Sequence, residues 1–498
     1  MIPSPCRPAR RRFLAGALLL ASAFHLLPAA AAPARLTEAD VRHLLVRTGF
    51  APSPAEVAPW VGKSAAAAVD RLLSDAAKAQ PLHAAPAFTA EPWSPPLGSL
   101  PDDEARKAAR QQARQDTAAL AAWWLQEMHD SPTPLAERMT LFWHNHFATS
   151  EQKVRQPQGM YVQHLLLRRH ALGSFRDLLH AVARDPAMLV YLDGAANRAG
   201  APNENFAREV MELFTLGEGQ YGEADVKEAA RAFSGWRVDR AQWRAELRPR
   251  QHDAGPKTLL GRTANFDTDG ALDQMLAQPA AARFIAAKLW REFVSPTPDP
   301  ATLERVAARL RSSGWRIDAA LRELLLADAF WAPASRAALI KSPVELTVGT
   351  LRQFGIATGD SLPMVAVTAR LGQSLFQPPN VKGWPGYTDW IDSRTLLERK
   401  RFTERLFRAL EMGEGTATMA AGPAMANPGG RGAWGLRFDA EAWLRPLGAW
   451  PDREPDDDAR QRIDDAVLAA PPVNSVPTGT VGLAYLRALS LDPVFQLK

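Results

Sequence analysis

The chain has 498 residues, of which 46% are hydrophobic and 23% charged, with a formal net charge of +5. It is long enough to bury a core of its own, and its single cysteine, Cys6, excludes a disulfide framework. Four arginines and no acid lie in residues 1–31, so the remaining chain carries only about +1, and its charge gives no support for a nucleic-acid partner.

The first predicted element is an export signal. Arg10, Arg11 and Arg12 precede an uncharged apolar stretch, 13–27, which ends at a proline and a run of alanines. This order is typical of a secretory signal peptide, and the stretch is shorter than the roughly 20 residues of a spanning helix. Residues 10–14 resemble the twin-arginine signature, with an ordinary secretory signal as the alternative. We therefore expect a signal over 1–31, a periplasmic or secreted protein, and no membrane span after cleavage.

Helical patterns dominate the rest of the chain. Thr37 and Ser342, the latter followed by proline, are placed as N-caps, and Gly222 precedes a predicted helix over 223–233. Further helices are predicted over 104–128, 134–148, 159–183, 280–293, 301–311, 316–328, 363–372 and 393–410. Alternation typical of strands is nearly absent, apart from one short hairpin predicted near 236–262.

These patterns predict an all-α fold, a large multi-helix globular domain with long loops. We expect a helical core domain over 32–410 and a C-terminal helical segment over 438–498 that packs on this core. Residues 411–437 are rich in glycine, alanine and proline, which is typical of a flexible linker or an insertion.

Several familiar motifs are missing or misplaced. Residues 217–222 match Gly-x-Gly-x-x-Gly, but a predicted helix ends at Gly217, where the dinucleotide fingerprint needs a strand. We therefore interpret this segment as a helix end and a turn. The sequence contains no His-Glu-x-x-His and no Gly-x-Ser-x-Gly, so it gives no support for the common metalloprotease and serine-hydrolase sites.

The helix predicted over 134–148 carries His144, Asn145 and His146 near its end. His146 shares a face with the apolar residues of the helix, so it is expected to project into an apolar seam. His144 lies about 200° away around the helix, and the two side chains reach one site only if the helix ends here. Both histidines are candidates for catalysis or metal binding, with Asn145 as a binding residue; the alternative is a histidine held in the core by a hydrogen bond.

A second candidate face combines Asn205, Glu209 and Glu212, which fall within about 60° of one another on a helix. The carboxylates lie at the edge of an apolar stripe, where an unpartnered charge is unfavourable. Glu209 and Glu212 are therefore candidates for catalysis or for binding a cation together with histidine. The alternative is a structural network of ion pairs that includes Arg208.

The segment around the predicted hairpin contains His252, Asp253 and Lys257. A histidine beside an aspartate is able to supply acid–base chemistry, and Lys257 is able to bind a ligand. Asp253 is equally suited to a turn that the following glycine and proline complete.

A rigid loop over 378–386 contains one aromatic residue and is followed by two more. Trp384, Tyr387 and Trp390 suit a stacking platform for a glycan. The alternative, which we favour, is a structural lid that inserts Trp384 into the helical core, since such a loop must be anchored.

Together these segments resemble a bacterial family, the "domain of unknown function 1800" family, over essentially the whole chain after the signal. The resemblance rests on residues 142–147, 203–217, 221–236, 252–257, 377–385 and 492–497. It implies an exported protein without an established activity, often encoded beside a second exported family that looks like alkaline phosphatases and sulfatases. The family usually has a second glycine after Trp-Pro-Gly, where this chain has Tyr387. The resemblance therefore does not fix the shape of this loop.

The positions that the resemblance marks as the site are His144, Asn145, His146, Asn205, Arg208, Glu209, Glu212, His252 and Asp253. Two functions are compatible with these residues. The first is a metal-assisted hydrolase or related enzyme of the cell envelope, with a divalent metal ion held by His144, His146, Glu209 and Glu212. The second is a non-enzymatic helical scaffold, a partner of the phosphatase- or sulfatase-like protein, in which the same residues form a structural network.

Overall fold

A computed structural model describes residues 32–414 and 435–498. The predicted signal peptide and most of the predicted linker at 411–437 lie outside the described residues. The twenty-two α-helices of the described chain are α1 Glu38–Thr48, α2 Pro54–Val57, α3 Ala65–Lys78, α4 Asp103–Asp130, α5 Pro134–His146, α6 Glu151–Val154, α7 Pro157–His170, α8 Phe175–Val182, α9 Pro186–Tyr191, α10 Asn205–Glu209, α11 Glu223–Ala232, α12 Thr268–Leu276, α13 Pro279–Phe293, α14 Pro300–Ser312, α15 Ile317–Leu325, α16 Asp328–Trp331, α17 Pro343–Phe354, α18 Leu362–Arg370, α19 Ser393–Glu414, α20 Ala440–Leu444, α21 Asp457–Val467 and α22 Gly482–Ser490. A π-helical segment, Val210–Thr215, continues α10.

Strands occur only as two small antiparallel hairpins within the described residues. β1 Trp236–Asp239 pairs with β2 Arg244–Leu247, and β3 Lys257–Leu259 pairs with β4 Arg262–Ala264. The predicted all-α fold class is therefore confirmed, and the region of the single predicted hairpin holds two hairpins.

Local capping chemistry sets several helix starts. Thr37 Oγ1 accepts a hydrogen bond from Asp40 N at 3.2 Å to start α1, and Ser342 Oγ accepts from Glu345 N at 3.2 Å to start α17. Both predicted N-caps are confirmed. The helix predicted over 159–183 is instead two helices, α7 and α8, because the chain turns at 171–174 and Ser174 caps a new start.

Two apolar cores organise the molecule, and α5 contributes to both. One core joins α1, α3, α5, α7, α8 and α10–α16; the other joins α4, α9 and α17–α22. Met139 and Phe142 of α5 lie in the first core, whereas Leu141 lies in the second. The C-terminal helix α22 packs on α19 within the second core. The boundary between the cores is therefore formed by α5 together with α7 and α9, which also contribute residues to both cores.

A search of the described helices for a membrane span found none with the required length and apolar character.

Candidate functional site

A cavity of about 280 Å³ opens at the boundary between the two cores; we call it the basic pocket. It is formed by one face of α5, by α13, by the chain around the start of α17, by residues 382–390 and by Lys498. Its charged residues are Arg138, Lys288, Arg291, Lys382 and Lys498, together with Glu292 and Glu345. Five cationic side chains thus face two carboxylates.

Helical spacing places the α5 residues of the pocket. Arg138, Phe142 and Asn145 are four and three residues apart, so they follow one another along a single face, with His146 beside them. The helix is buried along almost its whole length. These polar groups are therefore held on a rigid element inside the molecule.

The ring of His146 is held by a hydrogen bond at each nitrogen. Nε2 lies 3.1 Å from the Phe214 carbonyl oxygen, and Nδ1 lies 3.0 Å from Lys288 Nζ. Because a carbonyl only accepts, Nε2 carries the hydrogen and Nδ1 accepts from the lysine. Burial, aided by the charge of Lys288, lowers the pKa of His146 well below its usual value, so the ring is neutral.

Lys288 extends from α13 to the end of the π-helical segment. Its Nζ donates to His146 Nδ1 and, at 3.1 Å, to the Leu213 carbonyl oxygen. Carbonyls at a helix end lack intrahelical donors, and Lys288 and His146 satisfy two of them. Burial, with the charge of Arg291, lowers the pKa of Lys288 to about 7. Near neutral pH the amine is therefore divided between its charged form and a form with a free lone pair.

A buried ion-pair network forms another wall. Arg138 pairs with Glu292 and Glu345, and Lys498 also pairs with Glu345. Burial alone raises the pKa of Glu345, but the charges of Arg138 and Lys498 outweigh burial and lower it. Glu345 therefore stays ionised between two cations. The carboxylates of this network neutralise the charges of Arg138 and Lys498. Two exposed cations of the pocket, Arg291 and Lys382, have no ion pair among the described residues.

The loop that closes the pocket is anchored on α5. Trp384 N donates to Asn145 Oδ1 at 2.7 Å. Gly383 has φ +90°, and a Cβ there would lie 2.2 Å from Asn145 Oδ1, so this close approach requires glycine. Asn145 therefore holds the loop through its side chain.

Tyr387 occupies the point where the loop departs from the usual sequence of the resembling family. Its φ is +54°, a left-handed conformation that glycine adopts with least strain. Its hydroxyl is buried without a hydrogen-bond partner among the described residues. Burial and the charge of Glu292 raise its pKa, so the phenol is a neutral donor in the pocket wall.

Trp384 and Trp390 are each only 5% exposed. They therefore do not form an exposed stacking platform. Both belong to the second core, and Trp390 also lines the basic pocket. Packing of the indoles fixes the loop, as the alternative interpretation expected.

His144 points away from the basic pocket into an aromatic enclosure. Its Nε2 lies 3.2 Å from His164 Nδ1, and Trp124 packs on both rings with centroids 4.6 and 4.7 Å away. Burial lowers the pKa of His144 to about 3. This histidine is a neutral core group, because the helix keeps regular geometry up to His146 and directs the two rings apart.

Glu209 and Glu212 form a separate acidic pair. Tyr221 Oη donates to Glu212 at 3.1 Å. Burial, with the charge of Glu212, raises the pKa of Glu209. The charge of Lys382 opposes this shift without cancelling it. The acidic pair thus lies within electrostatic range of the pocket mouth without lining the pocket.

The neighbours of the acidic pair have structural partners. Arg208 pairs with Glu223 at 2.7 Å and with Glu204 at 3.3 Å. Asn205 Nδ2 donates to the Leu192 carbonyl oxygen at 3.1 Å. Arg208 therefore forms ion pairs, as the alternative expected, but with Glu204 and Glu223, and neither Glu209 nor Glu212 has an ion pair among the described residues.

His252, Asp253 and Lys257 form a turn of their own. His252 Nδ1 lies 3.0 Å from the Ser234 carbonyl oxygen, and Arg231 Nε donates to Asp253 at 2.7 Å. Lys257 Nζ donates to the Asp253 and Gly255 carbonyl oxygens at 2.6 and 2.9 Å. None of the three candidates lines the basic pocket.

The predicted metal site is not assembled. Within residues 32–414 and 435–498, no group of three or more His, Cys, Asp or Glu is placed to hold a metal ion. His144 is sealed among aromatic rings, His146 is bonded at both nitrogens, and Glu209 and Glu212 do not line the pocket that His146 lines. The four proposed ligands therefore do not fit a common ion.

The central amine of the pocket was missed from the sequence. Lys288 follows Ala281 and Ile285 at helical spacing and lies on the same face as these buried residues. A single cation within an apolar stripe indicates a buried charge. The predicted helix over 280–293 contains this pattern, so Lys288 could have been identified from the sequence.

Comparison with known proteins places the chain in one family. The model of a family described as "Protein of unknown function (DUF1800)" matches residues 43–497, so the chain belongs to that family and the resemblance is confirmed. No curated protein and no solved structure gave a significant match.

Proposed function

We propose that this member of the DUF1800 family binds a small anionic compound in the basic pocket and acts on it through the Lys288 amine. The observation that carries the proposal is the amine itself, which is held by two hydrogen bonds in a cavity whose cations outnumber its carboxylates.

The charge distribution supports an anionic ligand. Arg138 and Lys498 are neutralised by Glu292 and Glu345, whereas Arg291 and Lys382 are exposed at the mouth and form no ion pair among the described residues. Guanidinium and ammonium groups bind carboxylate, phosphate and sulfate through charge-assisted hydrogen bonds. An anionic group at the mouth places the rest of the ligand toward Lys288.

The chemistry supplied by Lys288 is proton transfer. A pKa of about 7 leaves a substantial fraction of neutral amine at neutral pH, which is the condition for an effective general base. His146 orients the amine by accepting one of its hydrogens and is fixed in turn by Phe214. His146 is therefore a positioning residue, and Lys288 accepts the proton from the ligand.

A ligand panel tests the binding step. Inorganic phosphate, sulfate and malonate are added separately, and the melting temperature is measured at constant ionic strength. We expect at least one anion to raise the melting temperature by mass action, and the rise to shrink in Arg291→Met and Lys382→Met. An equal rise in the double variant would refute binding in the basic pocket.

The role of Lys288 is tested separately with the anion found in the panel. Lys288→Arg keeps a positive charge but has no neutral form near pH 7. We expect the Lys288→Arg variant to retain binding of the anion found in the panel. We expect it to lose turnover of organic compounds that carry the same anionic group. Retained turnover in Lys288→Arg would eliminate the amine as the base while leaving the binding proposal intact.

Export remains part of the proposal, supported by the order of residues 10–31. Changing Arg10 and Arg11 together to lysine is expected to retain the protein in the cytoplasmic fraction if the twin-arginine route is used. Unchanged recovery from the periplasmic fraction would favour the ordinary secretory route.

A further inference from the structure

A second cavity, of about 240 Å³, lies beside α1 and the 465–471 segment; we call it the amphipathic cavity. The short segment from Leu339 to Ser342 separates it from the basic pocket, with Ile340 on the pocket side and Lys341 on the cavity side. The volume equals that of about eight waters at about 30 Å³ each, so it suits a ligand of similar size.

Lys341 is the unusual group in this cavity. It is only 7% exposed, and its Nζ has no hydrogen bond or ion pair among the described residues. It lies over the face of the Phe495 ring, 4.1 Å from the centroid. A buried ammonium normally has a partner, so this amine is suited to receive an anion.

The other cations of the cavity wall are already paired. Arg42 and Arg336 contact Glu38 and Asp40, respectively, and Lys498 contacts Glu345. Only Lys341 is left to receive a charged ligand. Gln353 provides a second unpartnered atom, since its Oε1 is buried without a donor.

The remaining wall is mainly apolar. Val46, Ala51, Val467, Leu468 and Leu497 are among the lining residues. Such a surface favours hydrocarbon over water, whereas the end at Lys341 favours an anion. The two requirements together describe an amphipathic molecule with one charged end.

We infer that the amphipathic cavity binds a short aliphatic carboxylate, with the carboxylate on Lys341 Nζ and the hydrocarbon chain along the apolar wall. This site is independent of the proposed function of the basic pocket. It is a binding site for a ligand or an effector.

Calorimetry with hexanoate and its neutral isostere hexanamide tests this inference on the full chain. Both probes have eight non-hydrogen atoms and differ in charge. We expect hexanoate to bind about ten-fold or more tightly than hexanamide, because a hydrogen bond to a charged partner adds at least that factor. Equal affinities, or no hexanoate binding at millimolar concentration, would overturn the inference.

Two variants locate the binding site. Lys341→Met keeps the side-chain volume and removes a charge without a partner, so it is expected to fold and to lose the preference for hexanoate. Exposed Lys227→Met is the control and is expected to bind hexanoate like the wild type, whereas Lys382→Met, at the mouth of the basic pocket, reports binding at that second anion site. Loss of binding in Lys382→Met with retention in Lys341→Met would place the probe in the basic pocket instead.

A measurement on the wild type alone keeps the test independent of folding. Burial, with the charges of Arg399 and Lys498, lowers the pKa of Lys341 to about 7, although Glu345 opposes this. Hexanoate affinity should then fall about ten-fold per pH unit above pH 7 as the amine loses its proton, while hexanamide affinity stays constant. A pH-independent hexanoate affinity would contradict the assignment to Lys341.

Discussion

Replacing Lys288 with methionine tests the charge state of the basic pocket through the pH dependence of stability. Burial and the charge of Arg291 lower the pKa of this amine from 10.5 to about 7. Between these values the unfolded chain binds a proton that the folded chain lacks. The fold is therefore destabilised fully below pH 7, and stability is recovered as the pH rises from 7 to 10.5.

The structure gives the size of each opposing effect. One pKa unit corresponds to about 1.4 kcal/mol, so holding the charged Lys288 in the fold costs roughly 5 kcal/mol at pH 6. Methionine removes this cost but leaves the Leu213 carbonyl and His146 Nδ1 without their donor, at about 1–3 kcal/mol each. The two effects oppose each other at pH 6, and only the loss of hydrogen bonds remains near pH 10.

Urea denaturation of wild type and Lys288→Met from pH 6 to pH 10 measures the balance. The free energy of unfolding of the variant minus that of the wild type should fall by about 1.4 kcal/mol per pH unit between pH 7 and 10. Exposed Lys227→Met is the control, with a small and constant difference. A Lys288→Met difference that does not vary over this range would refute the lowered pKa and with it the proposed base.

Three further substitutions probe the surroundings of the pocket. Gly383→Ala should lower the unfolding free energy by more than about 1 kcal/mol, because the new Cβ meets the Asn145 side-chain amide at a positive φ. Gly386 has open space and a negative φ, so Gly386→Ala should change the unfolding free energy by less than about 0.5 kcal/mol in the same denaturation assay. Glu345→Gln should cost about 3–5 kcal/mol by stranding buried cations, against under about 1 kcal/mol for the partly exposed helix pair broken by Glu398→Gln; comparable losses would contradict the burial argument. Tyr387→Phe removes a buried hydroxyl without a partner, so its melting temperature should equal or exceed that of the wild type, and a clear decrease would reveal a hydrogen bond to that hydroxyl.

The parts of the fold that depend on neighbouring residues could be predicted from the sequence. Thr37 and Ser342 cap their helices through residues three positions away, and His146 lies on the apolar face that periodicity indicates. The break between α7 and α8 was missed because the apolar pattern continues across it, while a turn at 171–174 redirects the chain.

The candidate site depends on contacts between distant segments, so little of it could be predicted. Arg138, Lys288 and Glu345 are 57 to 207 residues apart along the chain, and only tertiary packing decides that they are buried together. The motif at 144–146 identified the correct helix but not the direction of each ring. His144 became a core group because its neighbours are Trp124 and His164, which no local pattern indicates.

The position of α5 between the two cores also determines how the molecule opens. Local unfolding releases peripheral elements first, whereas segments shared by several packed layers exchange their amide hydrogens only when the whole chain unfolds. Met139 faces one core and Leu141 the other. Neither core is therefore able to detach without exposing an apolar face of this helix. The amides of α5 should therefore be among the slowest to exchange, and we expect the helix that carries His146 to persist when peripheral elements open.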